Sequence, residues 1–305
     1  MKYLLTVLLL FALSYCTAQK VKPVLDLTTG NTYYMASKAN STITQILNGQ
    51  GNSFNIEVAY RMAFKVIDAV DSTYNMEVSY QAISIKLQGA GVSVEMDSKK
   101  NDPQDIPSMM MAAMTNKPFK ITITKKGRIT AVENIEKMID DVFDSFQQID
   151  TVKKQQVKSQ LIKFLGADAL KGTIEAETAI FPDKAIAEND KWPVKTSIGS
   201  PVNTVVLMNY QLTSVAGNYY QVYGEGAMVT DKNAKPVFII GLSVNYDLTG
   251  TAISYITIDK TTGWISEVKS KQAMKGSMRI PDGPQVPGGM TIPMTVSTDI
   301  ITTDK

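Results

Sequence analysis

The sequence predicts a mainly β (α+β) protein in which long antiparallel strands form a strongly curved or barrel-like sheet with a central pair of amphipathic helices. Three observations predict it. Apolar residues recur with period two over most of the chain beyond residue 55, the signature of strands with one dry and one wet face. Helical periodicity is concentrated in a block at about 133–172, with one short further helix near 108–115. The candidate strands are longer than the usual five or six residues, which favours a curled sheet over a flat one.

Element by element, Ile56, Val58, Tyr60, Met62, Phe64 and Val66 alternate with Glu57, Ala59, Arg61, Ala63 and Lys65. Tyr74, Met76, Val78 and Tyr80 continue the pattern, which then shifts phase to Ile83, Ile85 and Leu87. A one-residue phase shift predicts a bulge. Val92, Val94 and Met96 extend the series, and Phe119, Ile121 and Ile123 turn through Lys125-Lys126-Gly127-Arg128 to Ile129 as a tight hairpin. Ile135, Met138, Ile139, Val142, Phe143 and Phe146 then fall at helical spacing, with Glu136, Asp140, Asp141 and Asp144 on the opposite face. A second helix carries Val157, Leu161, Phe164 and Leu165 and the basic Lys153, Lys154, Lys158 and Lys163, with Gly166 as its stop. Its positive charge complements the acidic helix before it. Further strands are expected at Trp192–Ile198, Val205–Val215, Tyr219–Thr230, Val237–Tyr246, Ala252–Asp259, Trp264–Met278 and Met290–Ile301.

The N-terminus carries the most specific signal. Lys2 precedes the apolar run Leu4–Leu13, and Ser14-Tyr15-Cys16-Thr17-Ala18 offers a small residue before Gln19. As a helix that run would span about 15 Å, half of a bilayer's hydrocarbon core. It reads as a signal peptide over residues 1–18 with cleavage before Gln19, so the expected location is exported: periplasmic, outer-membrane-associated or extracellular. Leu13-Ser14-Tyr15-Cys16 is also similar to a lipobox, with Tyr15 where a small residue is usual. Lipidation at Cys16 is therefore the alternative to a soluble mature chain. Residues 19–305 are expected to form a single β-rich domain without a transmembrane segment. Two similar sheet halves, about 24–132 and 174–305, would flank helices 133–172. A weak internal repeat underlies that division: Phe64-Lys65-Val66 answers to Tyr210-Gln211-Leu212, and Ile121-Thr122-Ile123 to Ile256-Thr257-Ile258.

Composition removes whole classes of chemistry. The 305 residues hold no histidine and one cysteine, with 31 Lys+Arg against 29 Asp+Glu for a net charge of +2. Histidine-based nucleophile systems and His/Cys metal sites are excluded, as is an intrachain disulfide. The charge balance gives no field that would single out nucleic acid. No catalytic, cofactor-binding or metal-ligating residue is expected, and the chain reads as a non-enzyme. Asp140, Asp141 and Asp144 read as a solvated helix face, not as ligands. Glu175 and Glu177 alternate on a presumed strand and would be half of a glycosidase pair that lacks its second carboxylate. Met109, Met110, Met111 and Met114 form a soft apolar stretch between Pro107 and Pro118, either a core plug or a lid over an apolar cavity.

Gly30-Asn31-Thr32-Tyr33-Tyr34, Phe119-Lys120-Ile121-Thr122-Ile123 with Gly127, the helical pair and Asp190-Lys191-Trp192 occur in this order behind an export signal. In this the chain resembles an uncharacterised domain-of-unknown-function family of exported Bacteroidota proteins, although Asn189 stands where that family usually has glycine. The resemblance implies export and a β-rich body and brings no activity. Asp71-Ser72-Thr73 and Asp150-Thr151-Val152 match the acceptor pattern of O-glycosylated exported proteins of that phylum, making Ser72 and Thr151 candidate glycan sites. Two functions fit these readings. One is an envelope binding module for lipid or another apolar ligand. The other is a structural or interaction protein with a fully packed core.

Overall fold

The structure, a computed structural model, describes residues 20–89, 91–147, 151–199, 202–239 and 241–305. The segment expected to be a signal peptide, with Cys16 and the expected cleavage point before Gln19, lies outside the described residues. The first elements are β1 (Thr32–Leu47), β2 (Gln50–Val70), β3 (Thr73–Gly89), β4 (Val92–Asp97), helix α1 (Ile106–Met114), β5 (Phe119–Thr124) and β6 (Ile129–Glu133). Helices α2 (Ile135–Ser145), α3 (Thr151–Leu165) and α4 (Ala167–Thr178) follow. The chain ends with β7 (Lys191–Ile198), β8 (Thr204–Ala216), β9 (Tyr219–Thr230), β10 (Val237–Ile239), β11 (Leu242–Asp259), β12 (Ile265–Ile280) and β13 (Met290–Thr303).

All the strands belong to one antiparallel sheet in the order β6-β5-β3-β2-β1-β13-β12-β11-β9-β8-β7, with β4 added to β3 and β10 to β11. The sheet is curled but not closed. The first and last strands meet at its centre, where Ala36 to Gln45 of β1 pair with Thr303 to Met294 of β13. The open edges are β6 and β7. Inner-face residues follow the period-two pattern: Met62, Phe64, Val66, Tyr74, Met76 and Val78 are all at most 1% exposed. The phase shift in β3 is a bulge, since Arg61 faces Ala82 while Met62 faces Tyr80. The extra residue keeps both Tyr80 and Ile83 inside and bends the sheet there.

One end of the curl is sealed. Leu25 is fully buried there, and its N–H donates to Lys125 O in the β5–β6 turn at 2.8 Å. Tyr74 Oη donates to Leu25 O at 3.2 Å and accepts from Leu27 N at 3.1 Å. Asp26 N donates to Thr262 O in the β11–β12 turn at 2.7 Å. The segment at 21–28 therefore stitches together turns that are far apart in sequence. At the other end β1 to β4 and β10 to β13 continue beyond the remaining strands, so fewer strands form that rim.

Two elements differ from the sequence reading. Glu175 and Glu177 sit on α4, not on a strand. Three alanines plus Leu170 and Ile174 four residues apart make Ala167–Thr178 a sound helix, and two alternating glutamates are too short a pattern to outweigh that. Gly166 does end α3, but in extended backbone (φ −72°, ψ 177°) it directly caps the next helix. The segment Val237–Tyr246 is a hairpin, not one strand, because Gly241 at φ +79° turns the chain between β10 and β11. The alternation runs on across that turn and conceals it.

Candidate functional site

Helix α4 lies along the opening between the two free edges. Glycine lets it approach both of them closely. At Gly172 an added Cβ would stand 3.0 Å from Ser197 O, near the end of β7, and 2.8 Å from Gly199 N, just past it. At Gly127, in the β5–β6 turn with φ +74°, a Cβ would fall 1.8 Å from Thr178 O. Polar groups then satisfy the edge backbone. Ile129 N of β6 donates to Glu175 Oε1 at 2.8 Å, and Thr178 Oγ1 contacts Gly127 O at 2.8 Å. Trp192 Nε1 of β7 donates to Ile180 O at 2.8 Å just past the helix. A helix thus does for this sheet what a closing strand does for a barrel, by covering edges that would otherwise be unpaired.

Two residues beyond Glu175, the helical turn sends Glu177 the other way, across the interior to the β1–β13 ladder. Its Oε1 accepts from Thr302 Oγ1 at 2.9 Å, and Ser37 Oγ stands at 3.4 Å. Ser37 and Thr302 face each other in the ladder, with their hydroxyl oxygens 2.8 Å apart. Two hydroxyl hydrogens serve three contacts, so Oε1 receives at most two bonds. Oε2 is buried and has no hydrogen-bond partner. The same holds for the hydroxyl of Tyr60, the residue opposite Ser37 on β2. Burial raises the Glu177 pKa from 4.5 to about 7, against the opposing bonds from Thr302 and Ser37. Burial, then the nearby Glu177 charge, pushes the Tyr60 hydroxyl well above its usual value, against the opposing contact with Ser37.

From this cluster the inner face continues towards the unsealed end. On β1 and β13 it alternates polar and apolar: Ser37 opposite Thr302, Ala39 opposite Ile300, Ser41 opposite Thr298, Ile43 opposite Val296. Ser41 and Thr298 share a hydrogen bond of 2.9 Å, and Ser254 and Ser270 share another of 3.0 Å on the neighbouring ladder. On β2 to β4 the same face is apolar. Phe54, Ile56, Val58 and Leu87 are only half-buried, and Val92 and Val94 are 46% and 41% exposed. Phe54, Ile56, Val58 and Leu87 belong neither to the main core nor to the smaller cluster of Val244, Leu248, Met278, Ile280, Ile292 and Met294. They form an uncovered apolar strip that starts one inward position from Tyr60 and Ser37. The outer face of the same strands is polar, with a shallow depression of about 290 Å³ bordered by Asn40, Thr42, Asn55, Glu57, Lys86 and Gln88.

The residues singled out by sequence are dispersed. Met110, Met111 and Met114 are at most 4% exposed and pack in the main core, while Met109 is half-buried against it. Asp140 pairs with Lys158 of α3 at 2.7 Å, and Asp141 with Lys137 at 2.7 Å, whereas Asp144 is exposed. Ser72 is exposed in the β2–β3 turn, Thr151 begins α3, and Cys16 lies outside the described residues. Of the two glutamates considered together, Glu175 is tied to an edge strand and Glu177 to the opposite wall. Ser37, Tyr60 and Thr302 escaped sequence reading. Their signal was polar identity at inward positions, beside Met35, Met62 and Ile300.

Comparison with known proteins adds the family and little more. The model of a family of unknown function, DUF6263, matches residues 71–265. No curated protein matches the sequence. Among solved structures, lipovitellin, described for its lipid–protein interactions, aligns at 8% identity with a TM-score of 0.47 over 92% of this chain, which spans 25% of that one. The outer membrane protein OprG of Pseudomonas aeruginosa aligns at 8% identity and a TM-score of 0.23 over 91% of this chain and 97% of its own. DynF, from the dynemicin biosynthesis pathway of Micromonospora chersina, gives 7% identity and a TM-score of 0.22, covering 94% of this chain and 86% of that one. Among the described residues, no helix is long and apolar enough to cross a membrane.

Proposed function

We propose that this chain, which belongs to the family of unknown function DUF6263, is a non-enzymatic, exported protein of the bacterial envelope that binds an apolar, lipid-like molecule. The observation that carries this reading is the strip Phe54, Ile56, Val58 and Leu87, half-buried inner-face residues that belong to neither apolar cluster. Contiguous, partly exposed apolar surface on an otherwise well-packed body marks an interaction site, and a curled sheet open at one end is a natural seat for a chain-like ligand. Export rests on the order Lys2, Leu4–Leu13, Ala18, which supports a mature chain released before Gln19. The resemblance to exported Bacteroidota proteins agrees with it. The methionines of α1 act as a plug in this reading, because Met110, Met111 and Met114 are already packed in the core.

The test is retention of ligand by protein purified from a bacterial periplasm. Native mass spectrometry is expected to find a co-purified lipid, and the uncharged probe N-phenyl-1-naphthylamine is expected to bind with enhanced fluorescence. Replacing Ile56 and Leu87 together by Asp, at half-exposed positions, should remove both signals while far-ultraviolet circular dichroism stays unchanged. A parent protein that carries no lipid and does not bind the probe overturns the reading and leaves a structural or interaction protein in its place.

A further inference from the structure

The uncovered strip does not end in solvent at both ends. One inward position beyond Val58 stands Tyr60, and beyond Ala39 stands Ser37. Beside Ser37 the side chain of Glu177, 7% exposed, presents an oxygen with no hydrogen-bond partner, and the Tyr60 hydroxyl, which feels the Glu177 charge, makes no hydrogen bond either. A buried acceptor and a buried donor–acceptor, both unmade, are costly in a folded protein. The hydroxyls of Ser37 and Thr302 occupy only Oε1, and Tyr60 stands opposite Ser37 on the β1–β2 ladder. From this geometry we infer that Glu177 Oε2 and the Tyr60 hydroxyl receive the polar end of the ligand, and that this end is an uncharged group able to both donate and accept, such as a hydroxyl. The inference rests on the apolar-ligand reading and specifies its polar end.

The chemistry narrows the ligand in two ways. A hydroxyl donates to Oε2 and accepts from Tyr60 Oη, so one small group satisfies both atoms. A carboxylate or phosphate offers no hydrogen to Oε2 and brings a second negative charge beside Glu177, for which no ion-pair partner is found among the described residues. Arg128, the basic residue beside α4, stands 3.9 Å from Glu175. Tyr80, also buried on this face, adds no positive charge. The apolar strip then carries the hydrocarbon part of the same molecule towards the open rim.

The experiment displaces N-phenyl-1-naphthylamine from the intact mature protein at pH 8 with 1-dodecanol and, separately, with dodecanoate. The two share a chain length and differ in the end group. The parent protein should prefer dodecanol by about tenfold or more, the scale of one hydrogen bond to a charged group. Glu177→Gln should bring the two affinities within about threefold of each other. Equal affinities in the parent overturn the polar-end assignment and leave the apolar-ligand reading standing. A probe that fails to bind the parent at all overturns both. Should Glu177→Gln not fold, Tyr60→Phe decides: it should weaken dodecanol and leave dodecanoate unchanged, and an unaltered dodecanol affinity refutes the assignment.

Discussion

Ionising Glu177 in the folded protein has a cost that a single substitution can expose. Its carboxyl titrates at about 7 in the folded state because burial disfavours the anion, against 4.5 when unconstrained. At about 1.4 kcal/mol per pH unit, that gap amounts to about 3 kcal/mol. The sign follows from proton binding. Between pH 4.5 and about 7 the folded chain holds a proton at Glu177 that the unfolded chain has released. Stability from this group is therefore fully present below pH 4.5, falls as pH rises, and is lost above about 7. Glu177→Gln keeps an acceptor for Thr302, adds an N–H₂ that can donate to Tyr60 Oη, and cannot ionise. We expect variant and parent to have similar stability at pH 5, and the variant to be more stable by about 2 to 3 kcal/mol at pH 8. Urea unfolding at the two pH values measures both, and contributions from all other groups cancel in the difference. A parent-to-variant difference that is the same at pH 5 and pH 8 would refute the reasoning, because it would mean that Glu177 ionises without penalty.

Two further variants test the packing. Gly127→Ala forces a Cβ to within 1.8 Å of Thr178 O at a backbone of φ +74°, so a loss of about 2 kcal/mol or more is expected in thermal melts, and an unchanged melt would mean that α4 is not seated against this turn. Met110→Gln with Met114→Gln places amides at sites 4% and 0% exposed; a loss of a few kcal/mol marks a core plug, whereas small loss with altered lipid retention marks a lid.

The sheet was readable because its signal is redundant. Every long strand repeats the two-residue pattern many times, so Met76 or Val222 sits inside whatever its local neighbours do. The bulge at Tyr80 to Ile83 was readable for the same reason, since a phase slip shows only against a long regular run. The helix α4 was not, because Ala167–Thr178 has a weak apolar face. It is buried on several sides by the sheet's edges and by α3, and an element enclosed in this way has no single stripe to display. The hairpin at Gly241 was hidden by alternation that continues through the turn. The site was the least legible part. Ser37 and Thr302 are 265 residues apart in sequence and become neighbours only because β1 and β13 pair, which no local pattern specifies. Tyr60 looked like one more alternating apolar residue, and only its hydroxyl, placed by the fold opposite α4, distinguishes it from Met62.

The open sheet and the buried glutamate have one explanation. A fourteenth strand between β6 and β7 would close the barrel, but its inward side chains would project only a short way from the wall and leave the centre to be filled from all sides. A helix in the same gap covers the edge backbone through Glu175, Thr178 and the segment that reaches Trp192, and it also sends a long polar side chain across the interior. Glu177 uses that reach to touch the ladder that joins the two ends of the chain. The contact leaves one carboxylate oxygen without a partner in the interior, which packing alone would not favour, since an apolar side chain of similar volume avoids the desolvation penalty. Its place is nonetheless defined by every level of the structure: edge glycines admit the helix, the helical turn separates Glu175 from Glu177, and the ladder supplies Ser37 and Thr302. In the proposed reading, a polar group held this firmly, next to the half-buried strip of β2 and β3, meets the ligand that enters from the open rim.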